Sequence, residues 1–387
     1  MTKKFLSGNE AFAFGVALAR PHVISAYPIT PQTTVVEKLS EFVSSGYLNS
    51  EFIHVESEHS ALSAAIGASC VGARTFTATS SQGLLYMAEC LPYAAGGRFP
   101  IVMMNANRST ALPWNIYGDQ RDSLCLLDTG WIQAYAVDAQ EAFDLALMSF
   151  YIAEHKDVLT PFMANLDGFA LTHTYEKVEI ASQEEADSFL PPFETENKLD
   201  FDNPKNMGFS AGPDTNMEFK YHEHQGVLNA VKVIEECENK FYSIFKRQYT
   251  GLIESYKCDE DAEYVVISLG TVCGLVKDAV DQLRTKGKKV GLLRIRYVRP
   301  FPNEEIASVL KNVKAVAVLE KDISFGNEGT VYTNVNSAIQ KAQLQIKTSN
   351  YIAGLGGRNI TKEEIISIFD DLEKQKFGVN FLGLLEN

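Results

Sequence analysis

What most constrains this chain is an alternation of short apolar runs with helix-period stretches, joined by few residues. In the first half, residues 22–27, 52–55, 74–79, 100–105, 131–135 and 161–166 read as strands. Residues 11–19, 33–43, 60–72, 83–95 and 139–154 carry helical spacing, with Val35, Val36, Leu39 and Val43 a clear example. The pattern restarts later, with strands at 263–269, 290–297 and 315–319 and helices at 275–284, 303–310 and 361–372. Such alternation predicts parallel sheets wrapped by helices. Gly270, directly after a strand, is expected to mark a crevice of the kind in which open α/β sheets bind ligands.

The expected organisation is an α/β domain over 1–228, a bridging helix over 229–260 and a C-terminal α/β domain over 261–387. The helix takes its pattern from Val231, Ile234, Phe241, Ile244, Phe245 and Tyr249. Residues 182–214 lose regular periodicity and form an irregular excursion, which Phe189, Leu190, Phe193 and Phe201 are expected to anchor. Between 110 and 128 the pattern also fails. That stretch, with Pro113, Trp114, Tyr117 and Gly118, reads as a loop of the kind that carries function.

Net charge is −14 with dispersed Lys and Arg, which argues against a nucleic-acid partner. No apolar run reaches the roughly 20 residues that span a bilayer. Residues 11–19 follow Asn9-Glu10 and lack a signal-peptide layout, so the expected location is cytoplasmic. The six cysteines include no C-x-x-C pair and are expected to be buried thiols. Neither they nor the seven histidines show metal-ligand spacing, and His59 and His173 are expected to be packing or turn residues.

Several polar residues stand where strands end. Glu56 and Glu58 follow the strand at 52–55 and precede a small-residue helix, where carboxylates favourably oppose the helix dipole. Thr30 lies between Ile29 and Pro31, and with Pro28 close by the turn is rigid enough to fix its hydroxyl. The alternative is a hydroxyl bonded to its own backbone. Arg108 emerges beyond the strand Ile101-Val102-Met103-Met104, where a guanidinium can meet a carboxylate or carbonyl. Arg121 is expected to pair with Asp119 or Asp122. Ser80-Ser81-Gln82-Gly83 begins a helix with unpaired N–H groups but lacks the glycine and lysine spacing of a P-loop.

Taken in order, Tyr27-Pro28-Ile29-Thr30-Pro31, His54-Val55-Glu56-Ser57-Glu58-His59-Ser60 and Thr79-Ser80-Ser81-Gln82-Gly83 form a recognisable set. Asn107-Arg108, Asp128-Thr129-Gly130-Trp131-Ile132-Gln133 and Asp167-Gly168-Phe169 extend it. The set resembles the α subunit of the 2-oxoacid:ferredoxin oxidoreductases, the pyruvate:ferredoxin oxidoreductase family. The resemblance implies a doubly wound thiamine-diphosphate pyrimidine-binding-type domain followed by a smaller transketolase-C-terminal-like α/β domain. It implies that Glu58, rather than Glu56, meets the cofactor's aminopyrimidine. Pro28, Ile29, Ser81, Gln82 and Gly83 would wall the same pocket.

Thr30 and Arg108 would bind the substrate carboxylate, with Trp114 and Tyr117 lining its side-chain pocket. The Gly-Asp-Gly segment with a metal-binding asparagine that the family uses for the diphosphate is missing. The implied cofactor is therefore thiamine diphosphate shared with a β subunit that carries the diphosphate and Mg2+. [4Fe-4S] clusters would sit on ferredoxin-like δ and γ subunits. The implied reaction converts a 2-oxoacid and coenzyme A to acyl-CoA, CO2 and reduced ferredoxin. Thr30 offers no cation for a second acidic group, which makes pyruvate the first expectation. Yet Pro113-Trp114-Asn115-Ile116-Tyr117 is more similar to branched-chain or aromatic 2-oxoacid members. A non-catalytic assembly scaffold of the same fold is the alternative of another class. A stand-alone nucleotide module lacks its fingerprint.

Overall fold

The computed structural model describes residues 2–258 and 261–385. Strand β1 (Thr2–Ser7) leads into α1 (Gly8–Ala19), β2 (Val23–Ala26), α2 (Thr33–Ser44), β3 (Glu51–His54), α3 (Glu58–Cys70) and β4 (Thr75–Thr79). Next come α4 (Ser81–Tyr86), α5 (Cys90–Gly96), β5 (Val102–Asn107), the single turn α6 (Arg121–Leu124), β6 (Ile132–Tyr135), α7 (Ala139–Glu154) and β7 (Phe162–Asp167). They are followed by β8 (Tyr175–Ile180), α8 (Gln183–Phe189) and α9 (Asn216–Phe245). The second half comprises β9 (Ile253–Tyr256), β10 (Tyr264–Ser268), α10 (Val272–Thr285), β11 (Val290–Ile295), β12 (Tyr297–Arg299) and α11 (Asn303–Leu310). It ends with β13 (Ala315–Glu320), α12 (Thr330–Lys341), β14 (Lys347–Ile352), α13 (Lys362–Glu373) and β15 (Val379–Phe381).

The strands form a seven-stranded sheet in the order β12-β6-β7-β5-β4-β2-β3, a six-stranded sheet in the order β15-β14-β13-β10-β11-β9, and a β1-β8 ribbon. Both large sheets are parallel except at one edge, where β12 opposes β6 and β9 opposes β11. Every residue of β4, β5 and β7 is buried, as expected for parallel strands covered on both faces. Helix α1 is buried almost all round and starts with a Ser7–Glu10 capping box. It packs so closely on α7 that a Cβ at Gly15 would lie 2.6 Å from the Phe143 carbonyl. That position tolerates no side chain.

Some expectations need correcting. The helix expected over 83–95 is two, α4 and α5, because Pro92 would break an uninterrupted helix and is accommodated only in the first turn of a new one. The bridging helix expected over 229–260 instead begins at Asn216 and stops at Lys246, which turns left-handed at φ 59°. Its buried face is Gly226, Ala230, Val233, Ile234, Cys237, Phe241 and Phe245, whereas Val231 is exposed. Within 182–214, Ser182 and Glu185 form a capping box that starts α8, and Phe189 and Leu190 are anchored in the core. Phe201 is 93% exposed and anchors nothing. None of the cysteines is in a disulfide; Cys90, Cys237, Cys258 and Cys273 are buried, Cys70 is half-buried, and Cys125 is exposed.

The halves are welded rather than merely linked. Strand β12 joins the first sheet, while β9 joins the second. Between them Arg294 and Arg296 are buried and share Glu141, with Arg294 also on Glu254 (3.1 Å) and Arg296 also on Glu238. Buried cations need such pairing, since an unpaired charge in this position costs several kcal/mol, on the order of 3–5. Among the described residues no helix is long and apolar enough to cross a membrane.

Candidate active site

The direction of the connections reverses between β2 and β4: β2 runs on to β3 at one edge, and β4 runs on to β5 on the other side. Segments leaving the two strands therefore part, and the gap at their carboxyl ends is where open α/β sheets hold ligands. Residues 27–31 follow β2, residues 80–83 follow β4 and Arg108 follows β5. Helix α3, which crosses β2 and β4, starts with Glu58 at the same edge.

The two glutamates differ sharply. Ser57 is the N-cap of α3, its hydroxyl accepting from Ser60 N. Glu56 is exposed and accepts from Ser60 Oγ (2.6 Å), a bond that holds its carboxyl below the usual range. Glu58 is 8% exposed, and its carboxylate makes no hydrogen bond or ion pair among the described residues. The residue is nearly enclosed, yet its carboxylate oxygens are not among the fully buried polar atoms, which leaves the carboxylate open to a ligand. Gly83 lies against it: a Cβ there would sit 2.6 Å from Glu58 Oε1 and 2.7 Å from Thr79 Oγ1. Thr79 Oγ1 is itself buried without a partner. Carboxylate, hydroxyl and bare backbone thus line one small polar recess.

Arg108 is buried and held on two carbonyls, Nη1 donating to Thr30 O (3.0 Å) and Nε to Asn115 O (3.0 Å). Burial lowers its pKa, and Asp122 opposes that shift. The bond to Thr30 O brings together the two residues that sequence alone could only set side by side. Thr30 is exposed, and its hydroxyl makes no hydrogen bond among the described residues, so it is not tied up by its own turn. Pro28 is exposed and Ile29 half-buried on the same segment.

Asp122, which sequence offered only as a partner for Arg121, organises this edge. It accepts from Asn107 Nδ2 (2.9 Å), Arg108 N (3.0 Å) and Ser81 N (3.1 Å). Burial pushes its carboxyl up to about 6 against the pull of those donors. Ser81 meets it by adopting φ 51°, and its hydroxyl lies within hydrogen-bonding distance of Ser109 O (2.7 Å) and Gln82 Oε1 (2.6 Å). One signal was visible beforehand: Asn105 and Asn107 interrupt an apolar strand, and buried amides require partners. Arg121 pairs with Asp119 (2.9 Å), as one of the two expected choices. His59 contacts Glu89 (3.3 Å), and His173 stacks on Phe169 at 4.8 Å.

Directly over Gly270 the space is taken by Asp167, and the expected crevice opens from Thr271 and Val272 onward. A Cβ on Gly270 (φ +70°) would lie 2.5 Å from Asp167 Oδ2, so glycine admits a side chain of the other sheet. Asp167 accepts from Thr271 N (2.7 Å), Thr271 Oγ1 (2.6 Å) and Gln120 Nε2 (3.0 Å). Beside it, a cleft of about 280 Å3 opens between the halves, walled by Tyr117, Phe169, Val272, Leu275, Ile360 and Lys321. Tyr117 faces this cleft and packs on Phe169 at 5.0 Å, while Trp114 is 71% exposed and is not among its walls. The structure therefore separates two rings that sequence grouped.

A doubly wound sheet with an unpartnered carboxylate at its switch point, welded to a second α/β layer, defines an α/β ligand-binding protein. Residues 15–239 match the family described as pyruvate flavodoxin/ferredoxin oxidoreductase, thiamine diphosphate-binding, and residues 262–365 match pyruvate:ferredoxin oxidoreductase core domain II. The chain belongs to the α-subunit family of the 2-oxoacid:ferredoxin oxidoreductases. It is 47% identical to pyruvate synthase subunit PorA of Methanothermobacter thermautotrophicus over 100% of this chain and 99% of that protein. It is 45% identical to ketoisovalerate oxidoreductase subunit VorA of Pyrococcus abyssi over 96% of this chain and 94% of that one. A solved structure of 2-oxoglutarate:ferredoxin oxidoreductase from Magnetococcus marinus, with 2-oxoglutarate, coenzyme A and succinyl-CoA bound, shares the fold at a TM-score of 0.74 and 18% identity. That match covers 95% of this chain and 65% of the solved one.

Proposed function

We propose that this chain supplies the pyrimidine-side half of a thiamine diphosphate site in an enzyme active only as a complex. The complex oxidatively decarboxylates a 2-oxoacid with coenzyme A. The acyl group ends on the thiol sulfur, the carboxylate leaves as CO2, and an electron pair passes to ferredoxin. The observation that carries this reading is the Glu58 carboxylate, unpartnered on a nearly buried residue against Gly83. When bound, thiamine diphosphate supplies the nucleophilic carbon and the electron sink for decarboxylation. Glu58 would hold the proton at the pyrimidine nitrogen, with Pro28, Ile29, Ser81, Gln82 and Gly83 walling the ring. Thr30 Oγ1 and the remaining edge of the Arg108 guanidinium would orient the substrate carboxylate.

The diphosphate and Mg2+ fall to a β subunit, the [4Fe-4S] clusters to ferredoxin-like δ and γ subunits, and the location is cytoplasmic. The scaffold reading is disfavoured because Glu58, Thr30 and Arg108 are all retained. Pyruvate is the first substrate. A branched-chain or aromatic 2-oxoacid is favoured by one observation: Leu112, Trp114, Ile116 and Tyr117 make an apolar loop beside Arg108.

The reading is tested first without catalysis. Titrating thiamine diphosphate and Mg2+ into the isolated chain in a calorimeter should give only heats of dilution, whereas the co-expressed α and β subunits should bind. Micromolar, Mg2+-dependent binding by this chain alone would overturn the shared site.

A further inference from the structure

We propose that Asn115 is a positioning residue through which a glycine turn of the C-terminal layer sets the substrate-carboxylate arginine. The proposal rests on the function proposed above, and one arm of its test is independent of that function. Asn115 Nδ2 donates to Gly356 O (2.8 Å), and its Oδ1 accepts from Tyr117 N (2.7 Å). Its backbone carbonyl accepts from Arg108 Nε (3.0 Å), and Arg108 Nη1 continues to Thr30 O (3.0 Å). A single residue thus connects the turn at 354–357, the side-chain loop and the carboxylate pair.

The turn is shaped for this contact. Gly356 and Gly357 have φ of +62° and +80°, where other residues are strained. A Cβ at Gly356 would lie 2.4 Å from Asn115 Nδ2, and one at Gly357 would lie 2.4 Å from Tyr117 Cβ. A second bond, Gly356 N to Asp119 Oδ2 (3.1 Å), zips turn to loop on the other side of Tyr117. The loop is otherwise little buried at Leu112, Pro113 and Trp114. Besides the Ser109 N to Tyr117 O bond (3.0 Å) and the Tyr117–Phe169 contact, these polar ties are what fix its position against the C-terminal layer.

Asn115→Ala removes the tie to Gly356 and the Tyr117 amide but leaves the Arg108-bonding carbonyl in the chain. In the assembled complex it should raise KM for pyruvate and for 2-oxoisovalerate alike by about threefold to tenfold, the range for one neutral hydrogen bond. kcat should change by less than about twofold, because the residue touches no reacting atom. Gly356→Ala should reproduce this from the other layer, and the double variant should be no worse than either single, since contacting residues couple. Hydrogen exchange, which needs no turnover, should show Asn115→Ala loosening residues 27–32 as well as 109–118. A local structural role would loosen only the latter. Unchanged KM, additive singles, or exchange confined to 109–118 would each overturn the clamp. If the wild-type complex oxidises no 2-oxoacid, the functional reading fails, and the exchange pattern alone decides the clamp.

Discussion

Replacing Glu58 with Gln in the assembled enzyme is expected to slow turnover by about 100-fold or more, the range for losing general acid–base assistance, while leaving folding intact. The amide keeps the carboxylate's shape in the recess beside Gly83 and Thr79 but cannot hold a proton at a ring nitrogen in the same way. Folding is spared because Glu58 makes no bond within the described chain that the change could break. Glu56→Gln is the control. Glu56 only accepts a hydrogen bond from the exposed Ser60 side of the first turn, so the change should cost little activity. The measurement is kcat on purified complexes with matched melting temperatures. Equal damage from both variants, or none from Glu58→Gln, sinks the assignment.

Arg108→Ala is expected to depress kcat/KM by roughly 10- to 150-fold, corresponding to one hydrogen bond to a charged group. The carboxylate is common to all 2-oxoacids, so pyruvate, 2-oxoisovalerate and phenylglyoxylate should lose by similar factors. Arg108→Lys should restore only part, since a point charge cannot hold Thr30 O and Asn115 O in one plane while meeting a substrate. Shrinking Tyr117 to Ala should instead change the ratio among the three acids, by about 10- to 200-fold if the pocket is apolar, and Trp114→Ala should do so less because its ring stands outside the cleft. Kinetics on all three acids decide. Loop variants that scale them equally, with an Arg108 variant that reorders them, would reverse the roles.

The alternation of strand and helix patterns determined the α/β class, because a parallel strand buried on both faces is largely apolar wherever it lies in the sheet. The short motifs located Glu58, Thr30 and Arg108 at strand ends, and the structure brings Arg108 onto Thr30. Periodicity reports only whether a face is buried, and it carries no record of which distant residue satisfies a polar group. That Glu58 is left unpartnered while Glu56 is not depends on how α3 lies against Gly83. The Asp122 hub joins residues from β5, α4 and α6, and Arg294 and Arg296 find Glu141 more than 150 positions away. Strand β12 of the second half crosses to the first sheet and pairs with β6, a partner that no local pattern in its three residues records. Asn115 and Gly356 stand 241 residues apart, and no local pattern links them. Their contact exists only because two sheets, each legible by itself, are welded through β12 and a set of buried ion pairs.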